Sequence, residues 1–531
     1  MSATNSASGS KNNSMPTTIT LSTFTAARIK EIQAMRKNIM ESRSTKLAFQ
    51  KLPKHMRRRT MSHVVKRLPR RLRQIHMNQM QKAGLPPKNN RGSRKYRRRP
   101  LNLQSEYARR QRRVKWLNTH LWHAKRFHMI EKWGYKLPKQ PCDKSFRACY
   151  RATTQHCLVQ DMSYVKCIEL NGSYEDIMSQ LEKMVDIRTG LTFKALCFRE
   201  GKKFGELTLF EPAVNSYERK AIGQIKYLWN QYADGRKLLW LFVHAAFYKQ
   251  MVTLFIKLFN FELLKENELK TITYKSPQGV ILKELEYELD TISLTGSLAI
   301  DILKIALRTV ELTEKHQDML RNCTRKFLIK QNQVFDNLSK ESHIPPNMVL
   351  SITVNDPRLN FPTKRTKALL NSCTPNDDDF DELQSNLSFS PLFDERVRNL
   401  IKTNRVSNEE ICKLREKNLI PGSELELKNE TLIPLILLWR PGNKEKENNG
   451  YSSGWDIIVP SNWSQTFFLA FVMWGARAGG LRETESIAFE RSQPDILYPD
   501  TIAGEEEERD ISQLYREKYF RSSLPLKHPN Q

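Results

Sequence analysis

Apolar residues first fall at helical spacing in TAARIKEIQAMRKNIM, where Ile29, Ile32, Met35 and Ile39 follow Thr25, a good N-cap, and predict a first helix. The Ser/Thr/Asn-rich residues 1–23 before it read as a disordered lead. After it, Pro53, Pro69, Pro86, Pro87 and Pro100 each remove a backbone donor and push the preceding residue out of the helical region, which predicts an arm of short pieces with little core. From Ser105 to Trp133, Val114, Leu117, Leu121 and Ala124 make one helical stripe and Trp116, His120, His123, Phe127 and Ile130 another beside it. The pattern predicts one long helix with a wide buried face, ended by WGYKLP.

Residues 146–372 alternate strand-like runs (CLVQDMSYVKCIEL, LTFKALCFRE, LLWLFVHAAF) with helical ones (SYEDIMSQLEKMV, AIDILKIALRTVEL), a mixed α/β pattern with too few signals to fix the strand order. TVNDPRLNFP reads as a strand running into a fixed turn, with Asp356 and Arg358 as a structural pair. Residues 373–430, including TPNDDDFDELQSNLSFSP, read as an acidic linker or insertion with short helices. Residues 431–531 begin as strand (TLIPLILLW), loop, strand (WDIIVP) and buried helix (SQTFFLAFVMW). The chain is therefore an α+β multidomain protein by pattern, with a long basic, largely irregular and helical N-terminal arm, residues 24–145, followed by mixed α/β domains.

Charge changes this picture. The formal net charge is +30, and Arg28 to Arg126 hold 31 Lys or Arg against Glu31, Glu41 and Glu106, which leaves the rest of the chain close to neutral. A charge so confined repels itself unless a polyanion neutralises it, so the partner is nucleic acid or an anionic membrane. The apolar runs LLWLFVHAAF and TFFLAFVMWGA fall short of the roughly 20 residues of a spanning helix, and no apolar h-region opens the chain, so a membrane is the weaker choice. Eight scattered cysteines suit a reducing compartment.

The arm mixes planar guanidinium forks with hydroxyls, aromatics and rigid prolines: Arg57, Arg58 and Arg59, then Ser62 and His63, then Lys66, Arg67, Arg70, Arg71 and Arg73, then Tyr96 with Arg97, Arg98 and Arg99. Such a mixture suits phosphates and bases, with nuclear import as a compatible second use. Arg109, Arg110, Arg112, Arg113, Lys125 and Arg126 add charge to the outer surface of the long helix. RNA is favoured over DNA because no zinc-finger spacing, basic zipper or helix-turn-helix is present, while irregular RNA offers phosphates at many angles. His120 and His123 with Cys142 and Cys149 lack metal-site spacing, so packing beside Trp116 and Phe127, or RNA contact, is the preferred reading. In GARAGGLRETE, backbone donors freed by Gly475, Gly479 and Gly480 beside Arg477 and Arg482 could cradle a phosphate, but the ending of a P-loop is absent, so a tight helix-to-strand turn against RNA backbone is the expected reading. No nucleophile, base and orienting acid stand at motif spacing.

Several long stretches, FQKLPKHMRRRTMSHVVKRLPRRLR, WLNTHLWHAKRFHMIEKWGYKLP, YRATTQHCLVQDMSYVKCIEL, DPRLNFPTKR and GWDIIVPSNWSQTFFLAFVMWGARAGGLRETESIAFERSQPDILYPD, closely resemble the largest protein subunit shared by eukaryotic ribonuclease P and ribonuclease MRP, the last stretch resembling that family's POPLD domain. The resemblance implies a non-catalytic RNA-binding scaffold in a nuclear and nucleolar ribonucleoprotein. Its RNA subunit cleaves precursor tRNA and precursor rRNA with magnesium held on the RNA, and no cofactor is bound by the protein. The implied partners are the ribonuclease P and MRP RNAs and sister protein subunits. The RNA-facing candidates it implies are the basics from Arg57 to Arg73 together with Trp116, His120, Trp122, His123, Lys125 and Arg126, and more weakly Arg477 and Arg482. The family pattern has Glu where this chain has Asn118 and Trp where it has Phe393, and family members usually continue past the POPLD domain, so a short form or truncated product is expected. The rival readings are a ribosome-assembly factor without nuclease association and a stand-alone enzyme on RNA or a small molecule.

Overall fold

In the structure, a computed structural model, residues 18, 20–40, 47–61, 64–84, 102–212, 219–231, 237–266, 272–310, 325–338, 344–362, 364, 366, 387–417, 432–443, 450–492 and 497–523 are described. Residues 1–106 with 509–531 form one unit and residues 107–508 another. No helix among the described residues is long and apolar enough to cross a membrane.

The first unit opens on a helix, Leu21–Met40, that starts four residues before the expected cap: Thr25 lies inside it with its hydroxyl donating to the Leu21 carbonyl at 2.9 Å, and residues 21–23 of the expected lead are helical. Its Ile29, Ile32, Met35 and Ile39 are all exposed. Next the chain repeats one local device. A 3-10 turn, Ala48–Lys51, ends at buried Leu52, Pro53 caps the helix Lys54–Thr60, and the Arg57 Nε donates back to the Leu52 carbonyl at 2.8 Å. A second 3-10 turn, Val65–Arg67, ends at buried Leu68, Pro69 caps the helix Arg70–Ala83, and the Arg73 Nε donates to the Leu68 carbonyl at 3.0 Å. The reason lies in Leu-Pro-x-x-x-Arg, present as LPKHMR and LPRRLR. Proline fixes its own φ and forces an extended leucine before it, so the leucine carbonyl stays outside the helical ladder and the arginine one turn on takes it up. Leu52 and Leu68 meet Ala48 and Leu72 in a small apolar core, and Lys66, Arg67, Arg70 and Arg71 stay exposed outside it.

The second unit is a four-layer sandwich. A seven-stranded sheet has the order β5-β6-β7-β4-β10-β9-β8: Gly205–Phe210, Ala221–Gln231, Lys237–Val243, Lys166–Gly172, Ile281–Glu284, Ile272–Lys275 and Glu262–Glu266. A six-stranded sheet has the order β12-β13-β14-β11-β3-β15: Val349–Val354, Ile433–Arg440, Gly454–Pro460, Leu289–Thr295, Leu158–Asp161 and Arg477–Ala478. All pairings are antiparallel except β15 with β3. Alternate residues of one strand serve different layers, as the period of two requires. On β7, Leu239, Leu241 and Val243 meet the helices Tyr174–Leu181 and Tyr248–Phe259, while Leu238, Trp240 and Phe242 lie between the sheets. On β13, Leu435 and Leu437 meet the helices Ala299–Ala306 and Ser464–Met473, while Ile436 and Leu438 face inward. Burial on both faces explains why these strands read as continuous apolar runs.

Four expectations change. Residues 105–133 are not one helix: a helix Leu103–Gln111 is followed by a one-turn helix His120–His123 and a hairpin of β1 (Phe127–Lys132) and β2 (Tyr135–Pro141). Trp133 at φ 51° and Gly134 at φ 78° form the tight two-residue connection between antiparallel strands. LTFKALCFRE is bend, turn and a short helix Leu196–Arg199, because its buried residues, Phe193 and Phe198, are five apart and do not alternate. The region from 431 does not stand alone, since β13, β14 and β15 share a sheet with β3, β11 and β12. Within the acidic segment, residues 373–386 and 418–431 lie outside the described residues. Its middle is core: Leu392 and Phe393 are buried, Phe393 lies 4.4 Å from the Trp240 ring, and the helix Glu395–Thr403 carries Arg398 into the interior.

The Arg398 guanidinium is 2.5 Å from Glu288 and 3.8 Å from Glu169, whose carboxylate also accepts from Trp240 Nε1, and it donates to the Leu392 and Phe393 carbonyls. Burial pushes the Glu169 carboxyl up, against the pull of Arg398. Arg398→Ala should cost about 3–5 kcal/mol by stranding two buried carboxylates, whereas Arg398→Met combined with Glu169→Gln and Glu288→Gln should recover most of it. Urea unfolding of the three proteins checks this, and an unchanged midpoint for Arg398→Ala would remove the lock.

Candidate nucleic-acid interface

The chain between the helix Leu103–Gln111 and β1 is laid along the hairpin. Lys115 N–H donates to the Gly134 carbonyl at 2.9 Å and Lys136 N–H to the Lys115 carbonyl at 3.0 Å, and Leu117 is buried against Tyr135, Leu137, Tyr164 and Leu481. Three carboxylates then fasten it. Glu286 accepts from Lys115 at 2.6 Å, from Lys166 at 2.9 Å and from the Tyr135 hydroxyl at 2.7 Å. Asp290 accepts from Asn118 at 2.6 Å, and Asp161 from the Thr119 hydroxyl. Asn118, where the family pattern has Glu, is thus a donor to an acid.

This anchoring divides the predicted aromatic stripe in two. His123 is fully buried with its ring edges against Trp122, Phe127 and Phe468; Nδ1 lies 3.2 Å from the Thr119 carbonyl, and burial lowers its pKa to about 4. Trp122 is half-buried between Phe468 and the Arg126 guanidinium, which sits 4.5 Å from its ring. His123, offered by the sequence as an RNA contact, is a packing residue, and Trp122 packs beside it. Trp116 faces the other way. It is half-buried, stacked on His120 at 4.2 Å and 5.5 Å from Tyr107. His120 is nearly buried beneath it, and burial lowers its pKa.

Around Trp116 lies a groove of about 560 Å³ lined by Tyr107, Arg110, Arg113, His120, Lys125 and Lys136 among others. Arg113 and Lys136 share Glu131, at 3.0 and 3.1 Å, exposed pairs that are weak and exchange readily for phosphate. Lys125 is exposed and makes no ion pair among the described residues. Cations around an aromatic floor suit a nucleic-acid backbone with a base beside it. Lys136 and Tyr107 are not among the contacts expected from the sequence: with WGYKLP taken as a helix end Lys136 is hidden, and Trp133 at positive φ carries no ordinary hairpin signal, Gly134 being the only local cue to a turn.

The other candidates are placed as follows. Lys66, Arg67, Arg70 and Arg71 are exposed with no partner among the described residues. Arg57 and Arg73 are half-buried and hold carbonyls. Arg58 and Arg59 lie in the helix Lys54–Thr60, with side chains outside the described ones, and His63, Arg97, Arg98 and Arg99 lie outside the described residues. Arg109, Arg112 and Arg126 are exposed and Arg477 is half-buried. The glycine turn is not a phosphate cradle. Gly479 N–H donates to the Val159 carbonyl and Gly480 N–H to Glu483, and Arg482 pairs with Glu483 and Gln140 and covers the Phe146 ring. Glycine is needed at 480 because a Cβ there would lie 2.6 Å from the Pro138 carbonyl oxygen.

The chain is an α+β protein whose second unit carries a groove with cations around an aromatic floor. The family model described as "Ribonucleases P/MRP protein subunit POP1, N-terminal" matches residues 24–104 and 88–173, and that of the POPLD (NUC188) domain matches residues 454–528. The human ribonucleases P/MRP protein subunit POP1 is 33% identical, over 97% of this chain and 58% of its own length. The Caenorhabditis elegans subunit popl-1 is 25% identical over 90% of this chain and 58% of its own, and Saccharomyces cerevisiae POP1 is 22% identical over 74% and 42%. The chain belongs to the POP1 family of ribonuclease P/MRP protein subunits, and spans little more than half the length of the human and nematode relatives. An aminomethyltransferase of the glycine cleavage system from Bartonella henselae superposes on 71% of this chain and 62% of its own with a TM-score of 0.33 and 12% identity, too weak a likeness to assign a fold.

The carboxylates that hold the groove make its stability pH-dependent. Burial, with Asp161 nearby, raises the Asp290 pKa from 3.8 to about 6. Between these values the folded state binds the proton and the unfolded state does not, so this group's contribution to stability falls as pH rises from about 4 to about 6. Asp290→Asn keeps an acceptor for Asn118 and Ser464. Its stability relative to wild type should therefore improve across that window, by on the order of 3 kcal/mol. Thermal unfolding of both proteins at several pH values checks this; a constant difference would mean that Asp290 does not titrate there.

Proposed function

We propose that this chain is a non-catalytic, RNA-binding scaffold of the ribonuclease P and ribonuclease MRP particles, acting in the nucleus and nucleolus on the RNAs that carry out tRNA 5′-leader removal and precursor rRNA processing. The observation that carries the reading is the outward set Lys66, Arg67, Arg70 and Arg71: the buried leucines and the carbonyl-holding arginines fix the backbone, and these four cations find no counter-charge among the described residues. The groove around Trp116 supports it as a second contact area. The mechanism is neutralisation of closely packed phosphates, so that the RNA keeps its active fold at lower magnesium, with the magnesium on the RNA. Sister subunits bind the same particles, and precursor tRNA and precursor rRNA are substrates of the assembly.

Sequencing the RNA that copurifies with the tagged chain, before and after a wash at about 300 mM salt, tests the reading. One or two discrete structured RNAs should survive, and a smear of many RNAs lost in the wash would mean a generic polyanion binder. Precursor rRNA alone would favour the ribosome-assembly alternative. On the isolated RNA, Arg70→Ala with Arg71→Ala should weaken binding and flatten the slope of log K against log salt by about 1.5, roughly 0.7–0.9 per lost phosphate contact. An unchanged slope would take these two side chains off the phosphates.

A further inference from the structure

The layer between the sheets is apolar at one end, where Trp240, Leu228 and Ile436 meet, and polar at the other. There β11 turns Thr291, Ser293 and Thr295 inward, β14 contributes Asp456, β13 Arg440 and β6 Lys226. Together with Met162, Val165 and Phe242 these residues bound a cavity of about 250 Å³ closed on one side by the helix Leu481–Glu490. Polar groups on a doubly covered sheet face are costly unless they are paired or serve a ligand.

Most of the charge is accounted for. Asp456 lies 2.9 Å from Arg440 and 2.7 Å from Lys226, and Lys226 reaches Glu206 at 3.4 Å. Against the effect of burial, Arg440 and Lys226 hold Asp456 down at about 2, so it is ionised. Arg440 also donates to the Ser293 and Thr295 hydroxyls, at 2.8 Å each. The two acids are thereby balanced by two cations. A third cation, Arg491 at the end of the closing helix, is half-buried, lines the same cavity and has no ion pair within 4.0 Å among the described residues. Burial and the neighbouring Arg440 both disfavour its charge. The cavity thus holds one positive charge in excess beside an apolar wall. Water satisfies the charge and wastes the wall.

The geometry points to a binding site for a small amphipathic anion, a carboxylate, sulfonate or phosphate monoester whose head meets Arg491 and whose apolar body lies on Met162, Val165 and Phe242. The volume is below the roughly 300–1,000 Å³ of drug-sized sites, which limits the occupant to a small molecule. The site lies between the sheets and does not depend on RNA binding.

Isothermal titration of the full chain with benzenesulfonate, a one-ring aromatic anion that fits the volume, tests the site, with uncharged methyl phenyl sulfone as the matched probe. The sulfonate should bind saturably at one site. Arg491→Gln should weaken the sulfonate about tenfold or more and leave the uncharged probe unchanged, and Ala488→Trp, which fills the cavity from the helix, should block both. Far-UV CD and melting temperature confirm that the variants fold; should Ala488→Trp not fold, the charge-selective loss in Arg491→Gln decides alone. Non-saturable sulfonate binding, or binding indifferent to Arg491→Gln, overturns the proposal.

Discussion

Four acids at every second position, the half-buried Glu284 and Glu286 and the buried Glu288 and Asp290, run from the edge into the interior of the sandwich, and each organises a different part of it. Glu284 accepts from the hydroxyls of Tyr248 and Tyr274, fixing a helix against the seven-stranded sheet. Glu286 gathers Lys115, Lys166 and Tyr135. Glu288 takes Arg398, and Asp290 takes Asn118 and Ser464. A buried carboxylate cannot be left alone, because removing its partner strands a desolvated charge. The run therefore permits only one way of bringing together the groove segment, the hairpin and the helix that carries Arg398. The run is not one strand: it leaves Ile281–Glu284, turns at residues 286–288 and enters Leu289–Thr295, and that turn lets the four acids reach partners on different elements, where one extended strand would hold them on a single face.

The same logic explains why a segment that reads as acidic linker is part of the core. Arg398 joins Glu169 of the seven-stranded sheet to Glu288, the residue before the first residue of β11, in the six-stranded one. The Ser461 N–H, just after β14, donates to the Glu288 carbonyl at 2.8 Å. Apolar packing between sheets is non-directional and tolerates sliding, whereas a guanidinium with fixed donor directions does not. Arg398 thus sets the register in which Trp240, Phe393 and Ile436 pack. At the far end of the layer the inward residues are polar, and the sheets stand far enough apart to leave a cavity.

What the sequence showed depended on the range of the interaction responsible. The helix Leu21–Met40, the Asp356–Arg358 pair and the strand-loop-strand-helix order from Ile433 to Met473 follow from spacing within a dozen residues or from turn chemistry, and they are present. The stripe from Trp116 to Ile130 was read with a helical period, yet Trp133 and Gly134 turn the chain back and the buried residues are buried by β2, Phe468 and Tyr164. Short apolar runs fit either period, and only the turn decides. Nothing local marks Arg398 as buried among so many exposed arginines, since its carboxylate partners lie 110 and more residues away. His123 and Lys125, two positions apart, end up on opposite sides of one turn, the first in the core and the second on the groove.

Two kinds of charge thus coexist, and they answer to different physics. Interior charges meet partners, opposite charges or neutral donors, inside the fold, in a medium where salt does not reach, so they specify the fold and are indifferent to ionic strength. The outward charges from Lys66 to Arg71 are unmatched among the described residues and lie where salt competes with any partner. The buried leucines, the prolines and the carbonyl-holding arginines keep their helices in place without using those charges, so the cations do not depend on RNA for the backbone that carries them. On the proposed function, positioning is thereby supplied by the fold before binding, and the energy of binding is left to counterion release from the polyanion.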